Sequence, residues 1–396
     1  DLKILRVDEP STLPYLLELL SVKDSGIDKI PMSPEERKVR ITAALNRIVL
    51  KGSELRPLIM AFEDLHWMDK SSEESLKALL DSIAGARIFL LFTYRPEFVH
   101  TWGGKSYHSQ VNLNRLSNRE NLSMVSYLLD TDDIDRDLEE LILEKTEGVP
   151  FFIEEFIRSL KDLNIIERKD NRYHLSKDIQ KVIIPSTIQD MIMARVDSLP
   201  EGAKEVLQTG SIIEREFSYD LIKEITALPE EELLSRLSAL KDSELLYERG
   251  IYPQSTYIFK HALTREVVYD SILIKRKKQL HEEIGKGIEG LYRDNIDQHY
   301  GVLAEHFTES ENYEKAAEYA KLAGKKAQAS YSFNEAILYA NKRVFCLERM
   351  PGTDILKRKI IDARTILSGY YMSLNYHTRA KDAVAPIVDL ALELNY

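Results

Sequence analysis

The chain has 396 residues, which at about 150 residues per domain corresponds to two or three domains. Its hydrophobic (44%) and charged (30%) contents are ordinary for globular proteins and exclude a disordered or collagen-like chain. Acidic residues outnumber basic ones by 65 to 54, and the net charge of -11 argues against a whole-surface electrostatic grip on DNA or an anionic membrane. The single cysteine, Cys346, has no partner for an internal disulfide, and no apolar run approaches the roughly 20 residues of a membrane helix. We therefore expect a soluble, cytoplasmic protein that does not bind membranes.

Residues 1–145 alternate helical patterns with short apolar runs. A first helix is predicted to begin after Ser33 as N-cap and to end before Gly52. Apolar runs at 58–62 and 88–92 predict two strands, because they are short and bounded by turn residues. Nearly all-apolar strands separated by helices indicate a parallel sheet covered on both faces, and hence an α/β domain.

The helix between the two strands is predicted to carry Ser71 or Ser72 as its N-cap. From about 120 to 300 the pattern is mostly helical, with helices predicted at 118–129, 137–148 and 150–168. Three further helices over 198–243 precede a hairpin-like stretch with Gly250 and Pro253 in its turn. Three helices followed by a small hairpin predict a winged-helix-like region.

A loose repeat begins near residue 297. The segments 312–320 and 332–340 align an aromatic, a small and a second aromatic residue, and 375–384 resembles them with Tyr376 and Ala380. Small residues where helices approach, with aromatics between them, predict stacked helix pairs and a concave binding surface. Cys346 lies beside Phe345 and Leu347 and is predicted to be a packed thiol.

The strongest local signal for chemistry is EDLHWMD at 63–69, after the first apolar strand. A strand that delivers Glu63 and Asp64 to the carboxyl edge of an α/β sheet places them where such sheets bind ligands. Carboxylates there can hold Mg²⁺ and orient an attacking water in phosphoryl transfer. The structural alternative is an ordinary strand that ends in a polar turn, with Asp64 or Asp69 capping a helix.

The string EDLHWMD resembles the Walker B segment of the STAND signal-transduction ATPases, a branch of the AAA-type P-loop NTPases. LLFTYRPEF at 90–98 resembles their sensor strand, and TEGVPFFIEEF at 146–156 resembles the segment that leads into their helical lid. Residues 184–217 and 257–285 resemble the entry to and exit from their winged-helix domain, and the later helices resemble degenerate tetratricopeptide repeats. The resemblance implies ATP and Mg²⁺ as cofactors.

The same resemblance implies roles for further residues. Arg95 would lie near the γ-phosphate, Gly148 and Pro150 would shape the loop beside the adenine, and His261 would sense bound diphosphate. The residues alone leave plainer alternatives open: Arg95 as a surface arginine, Gly148 and Pro150 as a helix stop and restart, and His261 as a capping or packing residue. Either Glu63 or Asp64 would hold the metal.

No phosphate-binding loop of the form GxxxxGK[ST] occurs in the 396 residues. The chain also opens without an initiator Met and closes within a helical pattern, so we expect a piece of a longer protein with this loop upstream. The alternative is a degenerate domain that does not hydrolyse nucleotide. In either case we expect the chain alone to bind ATP poorly and to be inactive as an ATPase.

Residues 30–345 together resemble the ATPase-and-repeat region of bacterial class III adenylate/guanylate cyclases. The predicted organisation is a partial α/β P-loop NTPase core (1–145), a helical lid (146–185), a winged-helix-like domain (186–275) and α-α helical repeats (276–396). The predicted function is an ATP-binding regulatory module that controls a fused or associated cyclase domain, with a protein partner or ligand sensed by the repeats. The alternatives are a transcription regulator that places its winged helix on DNA, which the acidic segment 230–244 disfavours, and a catalytically dead scaffold.

Overall fold

The computed structural model describes residues 2–5, 7, 10–20, 22, 26–27, 30, 32–102, 104–162, 165–169, 172–175 and 187–396. These residues form two compact units, the first comprising Asp1–Ser109 with Asp294–Tyr396 and the second Gln110–Arg293. The four domains predicted from sequence stay predictions. Their segment 176–185, and the start of the predicted winged-helix entry at 184–186, lie outside the described residues.

The first unit begins with an α/β layer. Its elements are α1 (Leu13–Leu19), α2 (Pro34–Leu55), β1 (Leu58–Phe62), α3 (Lys70–Ser82) and β2 (Ile88–Phe92). β1 and β2 pair in parallel, with Leu58 opposite Ile88 and Phe62 opposite Phe92. The two predicted strands and their parallel pairing are therefore confirmed.

The prediction that this sheet is covered on both faces is wrong for the described residues. Burial alternates along both strands. The inward face packs on a core that includes Leu76, Leu80 and Trp102. On the outward face Ile59 is 78% and Phe89 is 62% exposed, because no other described element packs there. An all-apolar strand can be buried on both faces, but its sequence does not show that both faces are covered.

Two helix boundaries also differ from the prediction. Ser33 caps α2 as expected and accepts a hydrogen bond from the Glu36 N–H (3.1 Å). The helix continues through Gly52 to Leu55, because the Arg56 N–H still donates to the Gly52 carbonyl (3.2 Å). A glycine inside a helix costs only about 1 kcal/mol relative to alanine, so it did not end this one.

The second unit is mostly helical. Its elements are α4 (Asn118–Leu129), α5 (Arg136–Thr146), α6 (Pro150–Asp162), β3 (Ile166–Lys169), β4 (Arg172–Leu175), α7 (Ile188–Asp197), α8 (Glu201–Ile213), β5 (Glu216–Ser218), α9 (Tyr219–Thr226), α10 (Glu230–Asp242), β6 (Leu246–Arg249), β7 (Thr256–Phe259), α11 (Ala262–Ser271) and α12 (Ile274–Leu291). The predicted helix 118–129 matches α4 residue for residue.

The helix predicted to run to residue 168 ends earlier. α6 stops at Asp162, and β3 and β4 form an antiparallel hairpin instead. The predicted three helices and hairpin are present as α8, α9, α10 and the β6–β7 pair, with Gly250 at a φ of +91° in the turn. The short strand β5, which the sequence prediction omitted, pairs with β7 to make a three-stranded sheet. These elements are compatible with a winged helix, and that assignment stays a prediction.

The first unit closes with stacked helices. They are α13 (Tyr300–Glu309), α14 (Tyr313–Ala329), α15 (Phe333–Leu347), α16 (Asp354–Ser373), α17 (His377–Val384) and α18 (Val388–Leu394). Consecutive helices from α13 to α17 pack on one another. The aligned small residues Ala316 and Ala336 are both fully buried, and the Tyr319 ring stacks on Phe307 at 5.7 Å, as the repeat pattern predicts.

Two further predictions concern Cys346 and membrane-spanning helices. Cys346 is a buried thiol, and its burial raises its pKa, in keeping with a packing role. No helix in the described part of the chain has the length and apolar content needed to cross a membrane.

Candidate functional site

The segments that follow β1 and β2 are joined at one edge of the sheet. Because the strands are parallel and in register, Glu63 and Asp64 emerge beside Thr93. The Thr93 N–H donates to the Phe62 carbonyl, the Leu65 N–H donates to the Thr93 carbonyl, and the Asp64 N–H donates to Thr93 Oγ1, each at 3.0 Å. Three hydrogen bonds therefore fix the start of the acidic segment to the end of the neighbouring strand.

The two acids have different surroundings. Asp64 is half-buried and has a left-handed backbone (φ 57°, ψ 44°), a conformation that aspartate tolerates better than most residues. Glu63 is exposed and has no hydrogen bond or ion pair among the described residues. Its carboxylate is therefore free to bind a ligand at the sheet edge. Asp64 precedes a short 3₁₀ turn, Leu65–Trp67, without a side-chain capping bond, so the capping alternative does not account for it.

Asp69, rather than Ser71 or Ser72, is the N-cap of α3. Its Oδ1 accepts hydrogen bonds from the backbone N–H groups of Ser71 (2.8 Å) and Ser72 (3.0 Å), and its Oδ2 accepts one from the Ser72 hydroxyl (2.5 Å). Burial raises the pKa of Asp69, but the hydrogen bonds from Ser72 and Ser71 outweigh it and leave the pKa below its ordinary value. The alternative in which Asp69 caps a helix is therefore confirmed.

His66 lies between Asp64 and Asp69, and its sequence context predicted no role for it. Both of its ring nitrogens are buried, and neither has a hydrogen-bond partner among the described residues. Its ring packs against Trp67 with centroids 4.9 Å apart. A buried imidazole with two unsatisfied nitrogens is uncommon. His66 is therefore a further candidate residue of this segment. In the sequence, only its position within EDLHWMD distinguished it.

Arg95 lies in the turn that follows β2. Its side chain is exposed, and its carbonyl accepts a hydrogen bond from the Phe98 N–H (3.0 Å). The neighbouring Tyr94 and Phe98 rings pack together, and Phe98 contacts Trp102, which is buried. The aromatic cluster holds the turn in place while leaving the guanidinium in solvent. Both a phosphate-binding arginine and a surface arginine are compatible with this placement.

The donor set suits magnesium better than a fully protein-ligated metal. Among the described residues there is no group of three or more His, Cys, Asp or Glu side chains that could hold a metal ion. Mg²⁺, however, is commonly bound through one or two carboxylates together with water and substrate phosphates. Glu63 and Asp64, adjacent at the sheet edge, fit that requirement.

Gly148 and Pro150 lie in the second unit, at the joint between α5 and α6. Gly148 has a φ of +73°, and a Cβ there would lie 2.3 Å from the Leu116 carbonyl oxygen. The Leu116 N–H donates to the Gly148 carbonyl (2.8 Å), which explains the close approach. Pro150 is the first residue of α6. The interpretation as a helix stop and restart is confirmed, and contact with an adenine stays a prediction.

His261 also lies in the second unit, at the N-cap position of α11, where its side chain makes no capping hydrogen bond. Its ring packs on Phe151 with centroids 4.0 Å apart, and its Nε2 is buried without a hydrogen-bond partner in the described part of the chain. Burial lowers its pKa, Lys260 and Arg195 lower it further, and Glu154 opposes them. The packing alternative is confirmed, while its unpaired nitrogen leaves diphosphate sensing open.

Ion pairs that no sequence pattern indicated lie close to this histidine. Arg195 pairs with Glu155, which is fully buried, and also donates to the Ser243 carbonyl (2.6 Å). Lys260 pairs with both Glu154 and Glu244. The pKa of Glu244 falls to about 2, through hydrogen bonds from Lys260 and Arg158 that outweigh burial. Because the partners lie 16 to 106 residues apart in sequence, no local pattern could reveal them.

Comparison with known proteins finds similarities but establishes no family for this chain. A family model described as a domain of unknown function (DUF8739) matches residues 117–174, a segment that runs from the N-cap of α4 into β4. Among solved structures, the chain is similar to a Signal Transduction ATPase with Numerous Domains (STAND) protein with a tetratricopeptide repeat sensor from Pyrococcus horikoshii. The identity is 13% and the TM-score 0.44, over 90% of this chain and 52% of that one.

Among curated proteins, the chain is 22% identical over 369 residues to the uncharacterized protein R02095 of Rhizobium meliloti (strain 1021). The match covers 91% of this chain and 35% of that protein. The chain thus spans about a third of the length of this relative.

Proposed function

We propose that this chain is the nucleotide-responsive regulatory part of a multidomain signalling protein. Glu63 and Asp64 would hold Mg²⁺ and orient the attacking water, and Arg95 would offset charge at the γ-phosphate. Gly148 and Pro150 would border the adenine, and His261 would register the diphosphate. Bound ATP with Mg²⁺ supplies the charge change that switches such a module between states.

The observation that supports this proposal best is the sheet edge after β1. There Glu63 is exposed and has no partner among the described residues, and it stands beside Asp64, whose backbone N–H donates to the Thr93 hydroxyl (3.0 Å). An exposed carboxylate on a segment held by backbone hydrogen bonds is available to a ligand and is not used in internal packing. The position is the carboxyl edge of a parallel sheet, where α/β proteins bind ligands.

The stacked helices α13–α18 would receive a protein partner or ligand, and the output would be a fused or associated class III adenylate/guanylate cyclase domain. The resemblance of residues 30–345 to cyclase-linked modules supports this output. Cyclic-nucleotide formation from ATP or GTP by the full-length protein tests it. Absence of both products would remove the cyclase from the proposal and leave the nucleotide switch in place.

The nucleotide switch is tested by ATP hydrolysis in the full-length protein with Glu63→Gln and Asp64→Asn combined. We expect turnover to fall at least about a hundredfold, since both positioning carboxylates are lost. Asp81→Asn is the matched control, because Asp81 is an exposed acid on α3 whose surface pair with Lys105 contributes little. Unchanged turnover in the double variant would contradict the proposal, and no measurable turnover in the parent would favour the dead-scaffold alternative.

The transcription-regulator alternative ranks lower. A helix that enters the major groove carries basic and polar side chains toward the DNA. The first turn of α10 instead carries three glutamates, Glu230, Glu231 and Glu232. Their charge would repel the phosphate backbone, so we leave DNA out of the proposal. A gel shift with a steep salt dependence would restore it.

A further inference from the structure

The stacked helices enclose a groove that the proposed function leaves without an occupant. It has a volume of about 310 Å³ and is lined by residues of α14, α15 and α16. Small residues form much of its wall, including Ala320, Gly324, Ala340, Ala363 and Gly369. At Gly369 no other atom lies within 4 Å of where a Cβ would be, so this side of the groove is open space.

Arg343 of α15 lines this groove and is buried, with 8% of its surface exposed. No hydrogen bond or ion pair joins its guanidinium to any described residue. Asp362 and Glu318 act on it only at longer range, and burial lowers its pKa. The guanidinium nitrogens of Arg343 are not among the buried unpaired polar atoms of the described residues, so they reach the solvent of the groove and their hydrogen-bond donors are open to an anion.

Two lysines extend the positive charge along the groove. Lys321 and Lys325 lie one turn apart on α14, and neither forms an ion pair with a described residue. Other lysines of the same helices are paired: Lys326 with Asp297 and Lys342 with Glu305. In a chain with a net charge of -11, these three cations share a groove, and none of them has a carboxylate of the described residues within ion-pair distance.

The groove's chemistry defines the ligand that fits it. Its walls are mainly apolar, with alanines, Ile366 and the Tyr370 ring, and the Tyr370 hydroxyl is already engaged as a donor to Gln328 (3.1 Å). Cations at an apolar cleft suit an anionic head attached to an apolar body. A volume near 310 Å³ lies at the small end of ligand sites, which favours a small molecule over a peptide strand.

We propose that this groove binds a small organic oxyanion, a carboxylate or phosphate attached to an apolar group, with Arg343 pairing the oxyanion and Lys321 and Lys325 adding attraction. The binding itself does not depend on the nucleotide site. Its role as the signal that the repeats sense rests on the proposed function.

The test is isothermal titration calorimetry on the full chain at fixed ionic strength. The probes are phenyl phosphate, phenylacetate and the neutral phenylacetamide. We expect at least one anion to bind with a Kd below about 1 mM, with no measurable binding of the amide. Comparison of the two anions shows whether the natural ligand carries phosphate or carboxylate. Failure of both anions, or equal binding of the amide, would overturn the proposal and leave the nucleotide switch untouched.

Two variants assign the binding to the groove. Arg343→Met should weaken the anion at least about tenfold, because a charge-assisted bond is lost. Its melting temperature without ligand should change little, since no hydrogen bond or ion pair to a described residue is lost and methionine keeps much of the packing of the arginine stem. Gly369→Leu, which fills the open side of the groove and keeps all three cations, should also abolish binding. Arg379→Met on the exposed surface of α17 is the control of equal charge change. Unchanged affinity in both groove variants would contradict the site.

Discussion

The sheet edge after β1 and the ion-pair network around α6 both contain charged residues. They differ in whether those residues pair with other residues of the chain. At the sheet edge Glu63 is exposed and unpartnered among the described residues. Around α6, Glu155 is fully buried and held by Arg195. The first region keeps charge available for a ligand, and the second uses charge to join distant segments of the chain. Substitutions should therefore alter chemistry in the first region and stability in the second.

The largest effect should come from the buried pair. Arg195→Met leaves Glu155 buried and unpaired, and we expect it to lower the free energy of unfolding by about 3–5 kcal/mol. Chemical denaturation measures this change. The double variant with Glu155→Leu should recover much of the loss, because no charge then stays buried. If the single variant costs less than about 1 kcal/mol, the pair of Arg195 with Glu155 contributes no more than a surface ion pair.

An intermediate effect should come from the joint between α5 and α6. Gly148→Ala adds a Cβ that would lie 2.3 Å from the Leu116 carbonyl oxygen at a positive φ, and we expect a loss of about 2–3 kcal/mol. Gly85→Ala is the matched control, since its φ is also positive (+81°) but no atom lies within 4 Å of the added Cβ. We expect about 1 kcal/mol there. Equal losses at both sites would mean that the contact with Leu116 relaxes freely.

The smallest effects should separate two acids of the same segment. Asp69→Ala removes the cap of α3 and should cost about 1 kcal/mol in the free energy of unfolding. Glu63→Gln should change it by less than about 0.5 kcal/mol, because Glu63 is exposed and without a described partner. A larger loss at Glu63 than at Asp69 would reverse the distinction between a ligand-binding and a structural acid.

The local sequence pattern predicted the bounds of an element correctly where periodicity and capping residues determine that element. The strands Leu58–Phe62 and Ile88–Phe92 and the helix Asn118–Leu129 agree with the prediction to the residue. The sequence prediction of helix ends was wrong where two local signals competed. Gly52 resembled a helix end, and Ser71 and Ser72 resembled caps, but Asp69 lies earlier and accepts three hydrogen bonds.

Apart from the parallel pairing of β1 and β2, contacts between segments distant in the sequence could not be predicted from it. The apolar stretch around Ile165 and Ile166 has helical spacing, yet the segment pairs with Arg172–Leu175 as a hairpin. The partner of Glu155 lies 40 residues away, and only the fold brings Arg195 to it. For the candidate site, the motif located Glu63, Asp64 and Arg95, whereas the support of Asp64 by Thr93 emerged from the strand pairing.

The hydrogen bonds around Thr93 have a mechanical consequence. One residue accepts from Asp64 and Leu65 and donates to Phe62, and it is followed two positions later by Arg95. A displacement of the backbone near Arg95 must therefore either break these bonds or move the acidic segment with it. Thr93 thus links the end of β2 to the start of the acidic segment. While its hydrogen bonds hold, a movement of the turn at Arg95 would reorient Glu63 and Asp64.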